Sequence, residues 1–204
     1  NNPTGTLLNQ DQIDRFMEKV PDHVVVVFDE AYYEFLDNPP DVLKYVRQGR
    51  NVVVLRTFSK IQGLANLRIG YGLSNPELIT VLQKTRQPFN ANGIAQAGAL
   101  AGILDTDHQL KTRAITTEGR SYLQETFQRL GLRFVPSFAN FVLVEVGDGK
   151  ATFQTLMKRG VIIRDMNAYG LPSWIRVSVG TMEQNRRFVE ELVEHLGLQG
   201  RLSD

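Results

Sequence analysis

The chain has no cysteine, which excludes disulfides, thiolate nucleophiles and zinc–thiolate sites. That absence fits a reducing compartment, and the expected location is the cytoplasm. No apolar stretch is long enough to span a bilayer, and no signal-peptide pattern is present. Charge of either sign is not in excess: the formal net charge is +1, so nothing draws the chain to nucleic acid or to a membrane surface. Histidines are few. His23, His108 and His195 are scattered and lack metal-ligand spacing, so no metal is expected. No G-x-G-x-x-G follows a strand, and no G-x-x-x-x-G-K-[ST] occurs, which removes the usual signatures of nucleotide-phosphate binding. What remains is the composition of a soluble globular protein, without internal repeats or low-complexity tracts.

The chain opens on NNPTGT, which is turn chemistry without a preceding element. It therefore reads as the C-terminal part of something longer. Alternation of strands and helices follows. Leu8 to Val20 reads as a helix capped by Asn9, and His23 to Phe28 as an apolar strand buried on both faces. Pro40 to Gln48 reads as a short helix, and Asn51 to Arg56 and Leu67 to Leu73 as two further strands. Asn75 to Gln83 is a helix opened by Asn75 and Pro76. This is the pattern of parallel strands covered by helices. Beyond Pro88 the style changes: an Ala/Gly-rich helix (Ala91 to Leu104) precedes a long helix (Asp107 to Leu130). Then come a strand (Phe141 to Val146), a helix (Thr152 to Arg159), short strands (Val161 to Arg164 and Ile175 to Val179) and a closing helix (Met182 to Leu196). The expected class is α/β, a parallel-type sheet with covering helices plus a small α+β lobe. Residues 1–105 belong to the larger domain and 106–204 to the smaller.

Four residues stand out chemically. Asp29 closes an apolar strand, where a carboxylate is costly unless paired or hydrogen-bonded; alone it reads first as a helix or turn cap. Lys60, in RTFSK, follows a strand at the sheet end where open α/β sheets hold ligands. Desolvated there it could form a Schiff base, although a lone lysine is usually a surface residue. Arg68, in GLANLRIGYG, enters an apolar strand and wants an anion. With Thr57 and Ser59 it makes half of a phosphate site, or else a buried ion pair. Arg176, in WIRVSVG, suits a carboxylate or phosphate, or a salt bridge between lobes. One ligand accounts for all four. Pyridoxal phosphate, used as an electron sink, needs an acid at its ring nitrogen, an amine at its aldehyde and cations at its phosphate.

In order and spacing, NNPTGT, FDEAYYEF, TFSKIQGLANLRIGYG, RQPFNAN, ANF and YGLPSWIRVSVG resemble the fold type I aminotransferases, most closely the histidinol-phosphate aminotransferases. The match covers nearly the whole chain. Each stretch is weak alone, and their common order is specific. The resemblance implies the C-terminal part of a fold type I pyridoxal-phosphate-dependent transferase, the N-terminal part being absent. Asn2 and Tyr32 would contact the cofactor's phenolic oxygen, and Asp29 its pyridine nitrogen. Lys60 would be the Schiff-base lysine, with Thr57, Ser59 and Arg68 on the phosphate side. Arg176 would grip the substrate's acidic group, with Asn140 and Tyr169 nearby. The implied reaction takes L-histidinol phosphate and 2-oxoglutarate to imidazole acetol phosphate and L-glutamate, a step of histidine biosynthesis, in a homodimer. The alternatives are an aromatic amino acid aminotransferase, a threonine-phosphate decarboxylase, or a catalytically silent folded fragment. Two positions depart from the family pattern. Asn66 stands where a small residue such as glycine is expected, and Asp165 adds negative charge near the substrate side.

Overall fold

A computed structural model describes residues 1–201 of the chain. They form two compact units: Leu8–Lys111, and Asn1–Leu7 together with the chain from Thr112 onward.

In the first unit, helix α1 (Gln10–Lys19) starts where the sequence predicts. The Asn9 side chain accepts from the Gln12 amide and the Gln12 side chain accepts from the Asn9 amide, each at 2.9 Å. Strand β1 (Val26–Asp29) is followed by a 3-10 turn at Tyr33–Phe35 and by the short helix α2 (Leu43–Arg47). Strands β2 (Val52–Thr57) and β3 (Gly70–Leu73) complete a three-stranded sheet in the order β1-β2-β3. Strand alternation sends Val26, Val52 and Val54 into a core with Ile13 and Met17 of α1 and Tyr45 of α2. Val27 and Leu55 point to the opposite face and are exposed.

β1 and β2 run parallel, with Asp29 opposite Leu55, so their C-terminal ends lie side by side. β3 corrects the expectation of an all-parallel sheet: it pairs antiparallel with β2, Val54 opposite Leu73. The connection from Phe58 to Ile69 carries only a 3-10 turn at Ala65–Leu67. A parallel return needs a crossover, usually a helix, and none intervenes. Helices α3 (Pro76–Thr85) and α4 (Gly93–Leu104) are capped by Asn75 and Asn92. Helix α5 (Thr106–Arg129) begins in this unit and continues into the other.

The second unit is built on a four-stranded antiparallel sheet of order β4-β5-β7-β6. Its strands are β4 (Phe134–Val135), β5 (Phe141–Glu145), β6 (Arg164–Asp165) and β7 (Trp174–Ser178). Helix α6 (Gly149–Lys158) lies between β5 and β6, and α7 (Met182–Leu196) closes the unit with the bounds predicted. Leu123 and Phe127 of α5, Val142 and Val144 of β5, Leu156 of α6 and Phe188 and Leu192 of α7 share one core. Phe127 stands edge-on to Phe188, ring centres 6.3 Å apart. Two expectations change here. The strand expected at Val161–Arg164 is a two-residue pairing at Arg164–Asp165, and β4 was not foreseen. The N-terminal stretch is docked by the Phe138 amide, which donates to the Gly5 carbonyl at 2.8 Å. Gly5 has a φ of +78°, and a Cβ there would lie 2.3 Å from Ser137 Oγ, so only glycine fits.

Candidate active site

Six of the expected residues sit on the first unit at the C-terminal ends of β1 and β2. Asp29 is the last residue of β1. Its carboxylate is exposed rather than buried and accepts from the Ala31 amide at 3.0 Å, shaping the turn that follows. That turn brings Tyr32 toward the loop after β2, where the Lys60 ammonium lies 5.4 Å from the centre of the Tyr32 ring. Thr57 Oγ1 accepts from the Ser59 amide at 3.1 Å. Arg68 reaches back across the same loop, its Nη1 donating to the Ala65 carbonyl at 2.8 Å and to Ser59 Oγ at 3.4 Å. One carboxylate, one phenol, one amine, one guanidinium and two hydroxyls are therefore gathered on two neighbouring loops.

Arg68 corrects one detail. It does not enter a strand; it stands just before β3 with φ 52° and ψ 51°, the left-handed region. A non-glycine residue there is uncommon and costs roughly 1–3 kcal/mol. Asn66 lies within the 3-10 turn at Ala65–Leu67, so the left-handed residues of this loop are Gly63 and Arg68.

The remaining expected residues lie in the second unit. The Arg176 guanidinium on β7 donates to the Asn2 carboxamide oxygen and lies over the Phe141 ring, 5.0 Å from its centre. Asn140 precedes β5, and its carbonyl accepts from the Val179 amide at 2.9 Å. Tyr169 ends an exposed 3-10 turn. Asp165, flagged as a departure, is satisfied locally. Its Oδ1 accepts from the Asn167 side chain at 2.9 Å and from the Asn167 amide at 3.2 Å, and these bonds hold the carboxyl below its usual range.

Sequence reasoning missed a group beneath the first cluster. Glu30 and Arg56 form an ion pair, Nε to Oε2 at 2.8 Å, with side chains only 11% and 14% exposed. Arg56 stacks on Tyr33, its guanidinium carbon 3.7 Å from the ring centre. Burial pushes the Glu30 carboxyl up, with Arg56 opposing. For Arg56 burial acts downward, but hydrogen bonds to Glu30 and Tyr71 outweigh it and hold it fully charged. Burial likewise pushes up the neighbouring Glu34, against the Gln62 carboxamide that faces it. The signal was available: Glu30 and Arg56 are charged residues adjoining apolar strands, next to Asp29 and Thr57.

Residues 1–192 match the family model described as "Aminotransferase class I and II". A histidinol-phosphate aminotransferase of Akkermansia muciniphila is 53% identical over 195 residues, covering 96% of this chain. The chain spans 54% of that protein's length. Among solved structures, the histidinol-phosphate aminotransferase of Sinorhizobium meliloti in complex with pyridoxal-5'-phosphate superposes with a TM-score of 0.83 at 29% identity. The match covers 96% of this chain and 55% of that one. The L-threonine-O-3-phosphate decarboxylase of Porphyromonas gingivalis also gives 0.83, at 26% identity, covering 97% of this chain and 62% of that one. The α/β, fold type I class expected from the sequence is the one found.

Proposed function

The chain belongs to the class I and II aminotransferase family, and from that premise we propose that it is part of a pyridoxal-phosphate-dependent aminotransferase acting on histidinol phosphate and 2-oxoglutarate. The observation that carries the reading is the 53% identity to a histidinol-phosphate aminotransferase across 96% of the chain. The donor set supports it. A carboxylate, a phenol, an amine and a guanidinium with two hydroxyls, all at the ends of β1 and β2, suit the ring nitrogen, phenolic oxygen, aldehyde and phosphate of the cofactor.

Pyridoxal phosphate, when bound, supplies an aldehyde that links to amines and a ring that stabilises negative charge at the substrate carbon. The protein's part is positioning and proton transfer. Asp29, fixed by the Ala31 amide, offers a carboxylate to a protonated ring nitrogen. Arg68, Ser59 and Thr57 would hold its phosphate. Lys60 would hold the cofactor through its amine, and the same amine would serve as general base and acid, taking a proton from the substrate carbon that bears the amino group. Tyr32 beside it presents a phenol to the cofactor's edge.

Arg176 receives the acidic group of either substrate. Phosphate and carboxylate both accept a forked guanidinium, so one residue serves two unlike partners. Asn2 orients that fork and is itself assigned to the phenolic oxygen, while Asn140 and Tyr169 border the substrate. The cofactor-binding domain is taken as residues 1–105 and the smaller one as 106–204, although the compact units of the fold part between Lys111 and Thr112, with Asn1–Leu7 in the second. The active form is a homodimer in the cytoplasm. Among the described residues no helix is long and apolar enough to cross a membrane.

The test is an assay of the chain, alone and within a protein of its relatives' full length. Histidinol phosphate, phenylalanine and threonine phosphate are compared, with 2-oxoglutarate wherever an amino acceptor is needed. Preferred turnover of histidinol phosphate supports the proposal. Preferred decarboxylation of threonine phosphate, or transamination of phenylalanine, overturns it.

A further inference from the structure

The side chains next to the proposed site residues form their own cluster on the first unit. Asp29 is followed by Glu30, Tyr32 by Tyr33, and Thr57 is preceded by Arg56. In β2, Arg56 and Thr57 point to opposite sides of the extended strand, whereas Tyr32 and Tyr33 lie at the start of the 3-10 turn. Each residue of the group is thus the immediate chain neighbour of one assigned to the cofactor, and the three meet one another. Glu30 binds Arg56 at 2.8 Å, and Arg56 lies 3.7 Å from the Tyr33 ring centre. The backbone continues the same connection: the Glu30 amide donates to the Leu55 carbonyl at 2.8 Å, and the Tyr33 amide to the Glu30 carbonyl at 3.1 Å. On the far side of Arg56, Tyr71 of β3 is its register partner and packs on Phe58, ring centres 5.6 Å apart.

We propose that Glu30, Arg56 and Tyr33 are positioning residues, a clamp that fixes the turn bearing Asp29 and Tyr32 against the loop bearing Thr57, Ser59 and Lys60. The inference deepens the function proposed above and rests on it for the roles of the residues being positioned. The physical need is plain. β1 ends at Asp29 and the next hydrogen-bonded turn is a single 3-10 turn, so backbone pairing alone leaves this turn lightly held. A largely buried ion pair with a planar fork and a stacked ring fixes distance and rotation together. Arg56 is paired with Glu30 and stacked on Tyr33, so a lysine at position 56 keeps the charge yet loses both the fork and the stack.

The experiment uses the protein at its relatives' full length. Arg56→Lys and Tyr33→Leu are compared with the parent protein and with Tyr33→Phe, which keeps the ring. Hydrogen exchange of the Glu30–Tyr33 amides is measured first, in protein stripped of cofactor. In Arg56→Lys and Tyr33→Leu, exchange is expected to quicken about tenfold or more. With cofactor restored, kcat should fall about 10- to 100-fold while KM changes little, because misplaced groups cost the transition state rather than substrate binding. Tyr33→Phe should restore both. If Arg56→Lys and Tyr33→Leu leave exchange at these amides and kcat unchanged while only lowering the melting temperature, the cluster is merely a stabilising contact and the proposal falls. Should a variant fail to fold, the other decides. Lys60→Ala separates the two proposals: if, after unbound cofactor is removed, it still shows the protein-linked absorption band that the parent protein forms with pyridoxal phosphate, the functional reading fails, whatever the exchange result in cofactor-free protein.

Discussion

The Lys60 ammonium and the Tyr32 ring lie 5.4 Å apart, although the residues come from different loops after different strands. The parallel pairing of β1 with β2 creates that proximity, since it ends both strands at the same level. The ammonium therefore faces the aromatic ring across the gap between the two loops.

Replacing Lys60 with alanine should abolish the visible absorption band that pyridoxal phosphate gives with the parent protein. Turnover should fall by at least about 10²–10⁴-fold, the usual contribution of a positioned acid–base group. Absorption spectra and steady-state rates check both.

Arg176→Lys keeps the charge and removes the fork. The value of kcat/KM for both substrates should drop about 10- to 100-fold, the worth of a hydrogen bond to a charged group. Asn2→Ala removes the residue that accepts from Arg176, and should raise KM in the same direction by less. Kinetics with histidinol phosphate and 2-oxoglutarate measure the difference.

Asp14 should govern an acid limb of stability in the first unit. Hydrogen bonds from Lys44 first, then Tyr45 and Gln10, lower its carboxyl to about 2. Its unfolded value is about 3.9. A depressed acid stabilises above its unfolded pKa, and that contribution is lost as pH falls through the folded one. The stability gap between the parent chain and Asp14→Asn should thus be full above about pH 4 and close as pH falls toward 2. Denaturant melts at several pH values test this.

Gly149→Ala should destabilise the second unit by about 1–3 kcal/mol, the cost of overpacking. An added Cβ at the start of α6 would lie 2.4 Å from the Trp174 carbonyl oxygen and 2.9 Å from that of Pro172. Both are backbone atoms and cannot swing away. Thermal unfolding is the readout.

Local chemistry was legible in the chain because it acts over a few residues. Asn9 and Asn75 cap helices through side chains that reach the backbone within one turn, and α7 runs over the predicted residues. The order of FDEAYYEF, TFSK and LRIGYG was enough to name Asp29, Tyr32, Lys60 and Arg68 as belonging together. Strand direction was not legible. The antiparallel entry of β3 depends on the path of the loop before it, and the left-handed Arg68 lies on that path. The two-residue strands β4 and β6 carry no periodicity of their own and exist only through pairing with β5 and β7. Side-chain identity and spacing along the backbone are local properties that the amino-acid order determines by itself. Which neighbours meet across strands, as Glu30 and Arg56 do, is decided by non-local pairing, and only the tertiary structure contains it.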